Sequence, residues 1–213
     1  MIYVALNPIH KIAISAVPVI FAITAHEAAH GYVARYFGDP TAAAAERITL
    51  NPLKHIDPVG TMLVPLLTML VGGVLFGWAK PVPVNFNRLH NPKKDMLWVA
   101  AAGPGANLVM AIFWVILSKF APFMGTLSLP LMLMSMIGIT INIILMVLNL
   151  LPLPPLDGGR IAVSLLPQRY AWQFAKLERF GLLILIVLLF TGILGKILKP
   201  VIDFALGVIS LIF

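Results

Sequence analysis

Two histidines four residues apart, with a glutamate directly after the first, stand in the stretch TAHEAAHGYVARYFG as His26, Glu27 and His30. On an α-helix, positions i and i+4 project from one face about one turn apart, so both imidazoles can reach a single metal ion. Glu27 lies beside that face, where it can take a proton from a water on the metal. The chemistry these residues offer is metal-assisted hydrolysis. A catalytic metal of this kind takes three protein ligands and keeps one position open, so a third ligand must come from elsewhere. The candidate is Asp157 in NLLPLPPLDGGRI, residues 149 to 161.

These residues have to be positioned by a chain that is 60% hydrophobic and 11% charged, with a mean hydropathy of +0.98. Soluble domains carry about 25% charged residues, so this composition belongs to a membrane protein. With roughly 20 apolar residues per crossing, 213 residues leave room for about five or six membrane segments. The formal net charge of +7 sits in short loops between apolar runs, which excludes a nucleic-acid stripe and reports orientation instead. The absence of cysteine removes thiolate metal sites and disulfides. The amino terminus lacks the features of a removable signal peptide.

The expected elements are a first helix from about Ile9 to Phe37, closed by Gly38 and Pro40. An apolar run from Val59 to Trp78 is interrupted by Gly60, Pro65, Gly72 and Gly73. A third helix runs from about Met96 to Phe120, a fourth from about Leu129 to Leu151 and a fifth from about Phe180 to Leu194. The tail from Val201 is short for a full crossing. The metal motif therefore lies inside a membrane helix, where ionisable groups are costly and mark function. That weighs against the plainer reading of two hydrogen-bonded histidines with Glu27 as counter-charge. For Asp157, Pro152, Pro154 and Pro155 end the fourth helix, and Gly158 and Gly159 permit an unusual backbone path. Irregular backbone at membrane depth is tolerated where it is buried in protein or lines a wet cavity. A surface-turn aspartate paired with Arg160 is the competing reading, and both stay open.

HEAAH, AAGPGAN at residues 101 to 107 and NLLPLPPLDGG, in that order, resemble the site-2 protease family of intramembrane zinc metalloproteases. Within it they are similar to small bacterial members without an inserted PDZ domain. NPLKHIDPVGT and GWAKPVPVN also recur in such proteins. The resemblance implies one all-α polytopic membrane domain over residues 1 to 213, and one zinc ion held by His26, His30 and Asp157. It further implies Glu27 as general base and Asn149 helping to hold the substrate strand. Asn107 is carried over as a substrate-binding candidate, with packing of the third helix as its alternative. The implied substrates are membrane-tethered proteins cut within or near their transmembrane segments, in the lipid bilayer of a bacterial plasma membrane. A non-proteolytic metal-binding membrane protein or ion transporter is the other function class, and it gains little from a carboxylate beside its first ligand. The residues name no substrate and no oligomeric state.

His55 could donate a hydrogen bond to a developing oxyanion, but an interfacial histidine capped by Asp57 is the preferred reading. His10 and His90 are assigned no role. The methionines read as adaptable packing. Trp78, Trp98 and Trp172 read as an aromatic belt, and RYAWQFAKLERF as an amphipathic surface helix. If residues 59 to 78 cross the membrane, Lys and Arg divide nine against six; if the segment enters and returns, they divide eleven against four. The second division fits the positive-inside rule better. The expectation is a re-entrant segment with the catalytic site nearer the cytoplasmic side. His26 lies nine residues before Arg35, about 14 Å along a helix.

Overall fold

The computed structural model describes residues 7 to 63 and 79 to 212, which are helices and connections with no strand among them. Helix α1, Pro8–Tyr36, starts where the Asn7 side chain accepts from the His10 amide and Pro8 supplies a preset first turn. Helix α2, Pro92–Phe120, begins four residues earlier than Met96 because Pro92 opens it, and the Asp95 carboxylate accepts from the Asn91 amide at 2.6 Å. Helix α3, Ser128–Asn149, has no charged residue along its length. The prolines after it end the helix, and α4, Asp157–Leu165, starts on the aspartate itself.

The remaining helices are α5, Gln168–Ala175, then α6, Glu178–Phe190, and α7, Ile193–Ile212. The expected amphipathic stretch divides between α5 and the start of α6. Its Lys176 ammonium lies 3.2 Å from the Trp172 ring centre. The boundary between the last two helices differs from expectation: α6 ends at Phe190 and α7 begins directly after the Gly192 turn and carries Pro200 inside it, a 20-residue helix that passes as a crossing only together with α6.

α1, α2 and the stretch Gly125–Asn149 are each long and apolar enough to cross a membrane. The pair α6 and α7, bent by 83°, makes up to a fourth crossing. The expected count of five or six included the run from 59 to 78, of which residues 64 to 78 lie outside the described residues, as does Trp78. Large apolar side chains face outward along these helices, among them Ile12, Val109, Met136 and Leu183. An exposed apolar surface of this extent needs a lipid environment; the chain is an integral membrane protein.

α1, α2 and α3 pack pairwise against one another, and α4 lies on α2. Ala111, Val115, Ile143, Val147, Leu185, Leu194, Leu198 and Ile209 close the core where α2 and α3 meet α6 and α7. Three contacts gather the connections at one end. The His90 amide donates to the Phe37 carbonyl, joining the exit of α1 to the entry of α2. The Lys93 ammonium reaches the Leu166 carbonyl past the end of α4. The Lys80 amide donates to the His55 carbonyl, so the flanks of residues 64 to 78 meet on the same side.

Candidate metal centre

α1 turns His26 and His30 toward α2, where both are buried. Their Nε2 atoms stand 3.1 Å apart, and each lies 3.3 Å from Asp157 Oδ2. The outer ring nitrogens are already committed. His30 Nδ1 donates to the Val99 carbonyl at 2.7 Å, and His26 Nδ1 donates to Asn107 Oδ1 at 2.7 Å. With the hydrogens on Nδ1, both Nε2 lone pairs point inward, as hydrogen bonds from the far ring nitrogens arrange them for a metal. Asp157 Oδ2 is buried without a hydrogen-bond partner. Three electron-pair donors facing one another in a buried space form a set that a metal ion would satisfy. Zinc bonds of about 2.0 to 2.1 Å place tetrahedral ligand atoms about 3.3 to 3.4 Å apart. The observed triangle matches that edge, so the residues fit one zinc ion.

Close backbone approaches make this triangle. A Cβ on Gly103 of α2 would fall 2.4 Å from His30 Nε2 and 2.6 Å from His26 Nε2, so only hydrogen leaves the metal face open. A Cβ on Gly158 would lie 2.3 Å from the Leu150 and Leu151 carbonyl oxygens. The glycine lets α4 start against the end of α3 and swings Asp157 toward α1. Asp157 therefore belongs to the histidines. Arg160 lies over the Phe86 ring, 5.5 Å from its centre, and the surface-turn reading is set aside.

Comparison with known proteins bears on the same residues. Residues 126 to 192 match the profile of Peptidase family M50. A Bacillus subtilis protein, YwhC, named as a candidate zinc metalloprotease, is 38% identical over 192 residues, which cover 88% of this chain and 84% of YwhC. The chain belongs to peptidase family M50, the site-2 protease family. The candidate zinc metalloprotease Rip2 of Mycolicibacterium smegmatis is 30% identical to this M50 chain, with 83% of it and 66% of Rip2 aligned. The zinc metalloprotease MJ0392 of Methanocaldococcus jannaschii is 27% identical, with 70% of this chain and 33% of MJ0392 aligned. No solved structure matches significantly.

In this M50 chain Glu27 is half-buried next to the first histidine, and its Oε2 accepts from the Val82 amide at 2.8 Å. Val82 belongs to an extended stretch, residues 79 to 85, that passes the site. Arg47 donates to the Lys80 carbonyl at 2.7 Å, and Asp39 accepts from the Asn85 amide at 2.6 Å. Pro81 and Pro83 hold their predecessors extended and have no amide hydrogen, so Val82 supplies the donor. The motif GWAKPVPVN was visible in the sequence only as one that recurs in the family. Only the packing shows that it runs to Glu27. The buried Asp39 carboxyl also accepts from the Thr41 amide and hydroxyl. Burial opposes its charge, yet the Thr41 and Asn85 donors and the Arg88 charge hold it below the ordinary carboxylate range.

The three other candidates separate. Asn107 is fully buried between α1 and α3, bonded to His26, the Ala22 carbonyl and Asn142. Asn149 is half-buried at the end of α3, its Nδ2 donating to the Leu145 carbonyl of its own helix. His55 is buried and its Nε2 donates to the Thr49 carbonyl at 2.9 Å. The Asp57 cap expected there is replaced by that bond, because Asp57 Oδ1 accepts from the Val59 and Gly60 amides and starts the next turn.

Proposed function

We propose that this M50 protein is a zinc-dependent endopeptidase that cleaves peptide bonds within or near the transmembrane segments of membrane-tethered proteins. The observation that carries the reading is the buried triangle of His26 Nε2, His30 Nε2 and Asp157 Oδ2, set among membrane-spanning helices with Glu27 beside it. His26, His30 and Asp157 would hold the ion. Bound there, zinc supplies a Lewis acid that polarises a carbonyl and brings the pKa of water down to about 7.

The rest is done by the chain's own groups. Glu27 is the general base, taking a proton from the attacking water and returning it to the leaving amide nitrogen. One of its oxygens is held by the Val82 amide, which aims the carboxylate. A substrate helix must unwind before its peptide bond can be reached, because helical hydrogen bonds occupy its backbone groups. The end of α3 at Asn149 and the proline-rich turn after it provide irregular backbone beside the site where an unwound strand can bind. Water reaches that end from the cytoplasm, following the positive charge of its loops. A bacterial plasma membrane fits the source of most of the relatives.

The test incubates the purified protein with a panel of single-span membrane proteins, with and without chelator, and identifies fragments by mass spectrometry. Cuts inside the apolar segments that vanish with chelator and with Glu27→Gln are expected. Metal uptake without any chelator-sensitive fragment, across the panel, would favour a metal-binding or ion-transporting protein instead.

A further inference from the structure

Asn142 lies in the charge-free helix α3, fully buried, and neither the metal triangle nor the general base makes use of it directly. An amide side chain in an apolar helix is costly unless all its groups are bonded. Its bonds lead to the metal site. Asn142 Nδ2 donates to the Gly138 carbonyl at 2.8 Å, and its Oδ1 accepts from Asn107 Nδ2 at 2.9 Å. Asn107 Nδ2 gives its second hydrogen to the Ala22 carbonyl at 3.2 Å. Asn107 Oδ1 then accepts from His26 Nδ1.

The series has a direction. Backbone carbonyls only accept. The Gly138 carbonyl thus turns the NH2 end of Asn142 toward itself and its oxygen toward Asn107. That oxygen and the Ala22 carbonyl together fix the NH2 end of Asn107. The oxygen of Asn107 is left facing His26, which must carry its hydrogen on Nδ1 and leave Nε2 bare. With the Asn107 amide reversed, its oxygen would meet two acceptors, and its NH2 would favour the His26 tautomer protonated on Nε2. That tautomer cannot bind a metal through Nε2. His30 needs no such support, because its partner is the Val99 backbone carbonyl, which cannot flip.

We infer that Asn142 is a positioning residue for the metal site: through Asn107 it selects the His26 tautomer that presents Nε2 to the ion. Asn107 is accordingly a partner of the ligand rather than a contact for substrate. The relay takes one residue from each of three spanning helices, so it also sets the register of α1, α2 and α3 at the depth of the metal. It rests on the reading of His26 as a zinc ligand, and the experiment separates the two.

Metal-free protein labelled with 15N-histidine is examined by NMR at a pH where the imidazoles are neutral, with His26→Ala to assign the His26 signal. The expected wild-type result is a single Nδ1-protonated tautomer; an Nε2-protonated or mixed His26 overturns the relay without any variant having to fold. Zinc affinity is then measured by competition with a chromophoric chelator. Asn142→Leu should bind zinc about 10- to 100-fold more weakly, the usual range for loss of an outer-shell partner, and should show both His26 tautomers. Asn142→Asp should keep wild-type affinity, since a protonated carboxyl donates to Gly138 and accepts from Asn107. Ser135→Ala, which removes another buried polar group of α3, should change neither readout. Wild-type affinity with one tautomer in Asn142→Leu refutes the proposal. Undiminished zinc binding by His26→Ala refutes instead the assignment of His26 as a ligand.

Discussion

Replacing Gly103 by alanine should weaken metal binding while leaving the helices standing. The added methyl carbon would sit 2.4 Å from His30 Nε2 and 2.6 Å from His26 Nε2, against ordinary contacts of about 3.5 Å. About 1 Å of retreat is therefore needed. Metal sites tolerate ligand displacements of about 0.2 Å, so the retreat cannot be absorbed with the triangle intact. In the metal-free protein the imidazoles can rotate away, at the loss of bonds to Val99 and Asn107. Overpacking of this kind costs about 1 to 3 kcal/mol, and here it falls on the metal-bound state. At about 1.4 kcal/mol per tenfold, zinc affinity should fall by roughly 5- to 150-fold. Zinc per chain is measured by mass spectrometry of the dialysed protein, affinity by chelator competition, and helix content by circular dichroism. Gly103→Ala protein that keeps one zinc at wild-type affinity would refute the placement of α2 against the histidines.

Three further outcomes are expected. Glu27→Gln should retain zinc and lose about 10²- to 10⁴-fold in cleavage rate, while Ala at His26, His30 or Asp157 should lower zinc occupancy; loss of zinc in Glu27→Gln would make Glu27 a ligand. Because the Asp39 carboxyl titrates below its ordinary range, its stabilisation is present above the unfolded value of about 3.9 and is lost as pH falls through the folded one. Unfolding followed between about pH 3 and 7 should show Asp39→Asn less stable near neutrality and less sensitive to acid, and parallel acid limbs would contradict that. Single cysteines at Lys93 and Arg169, in a chain free of cysteine, should both resist a membrane-impermeant maleimide in intact cells and both react after lysis. Labelling of one and not the other in intact cells would break the shared end set by the Lys93 to Leu166 contact.

How much of this was legible beforehand varies residue by residue. Composition alone settles the solvent, because so apolar a chain cannot cover itself in water, and prolines and glycines punctuate the helices within a few residues of their ends. The four-residue spacing of His26 and His30 is a local property of one helix, so sequence was enough to pair them and to place Glu27 beside them. Asp157 was ambiguous in sequence, since a DGG turn serves equally for a surface aspartate; α4 starting against the end of α3 turned it to the histidines. The carboxyl-terminal helix was underestimated because Pro200 and two lysines interrupt its apolar run. Gly103 and Val82 stood inside motifs already singled out, AAGPGAN and GWAKPVPVN, and Asn142 was an amide in a charge-free helix, but nothing local showed what any of the three touches. Each acts across a helix contact: Gly103 by the hydrogen it presents to two rings, Val82 by its amide on Glu27, and Asn142 by an amide orientation passed to His26. Spacing along one helix is written in sequence order, whereas contacts between helices depend on which faces meet, and only the packed structure decides that.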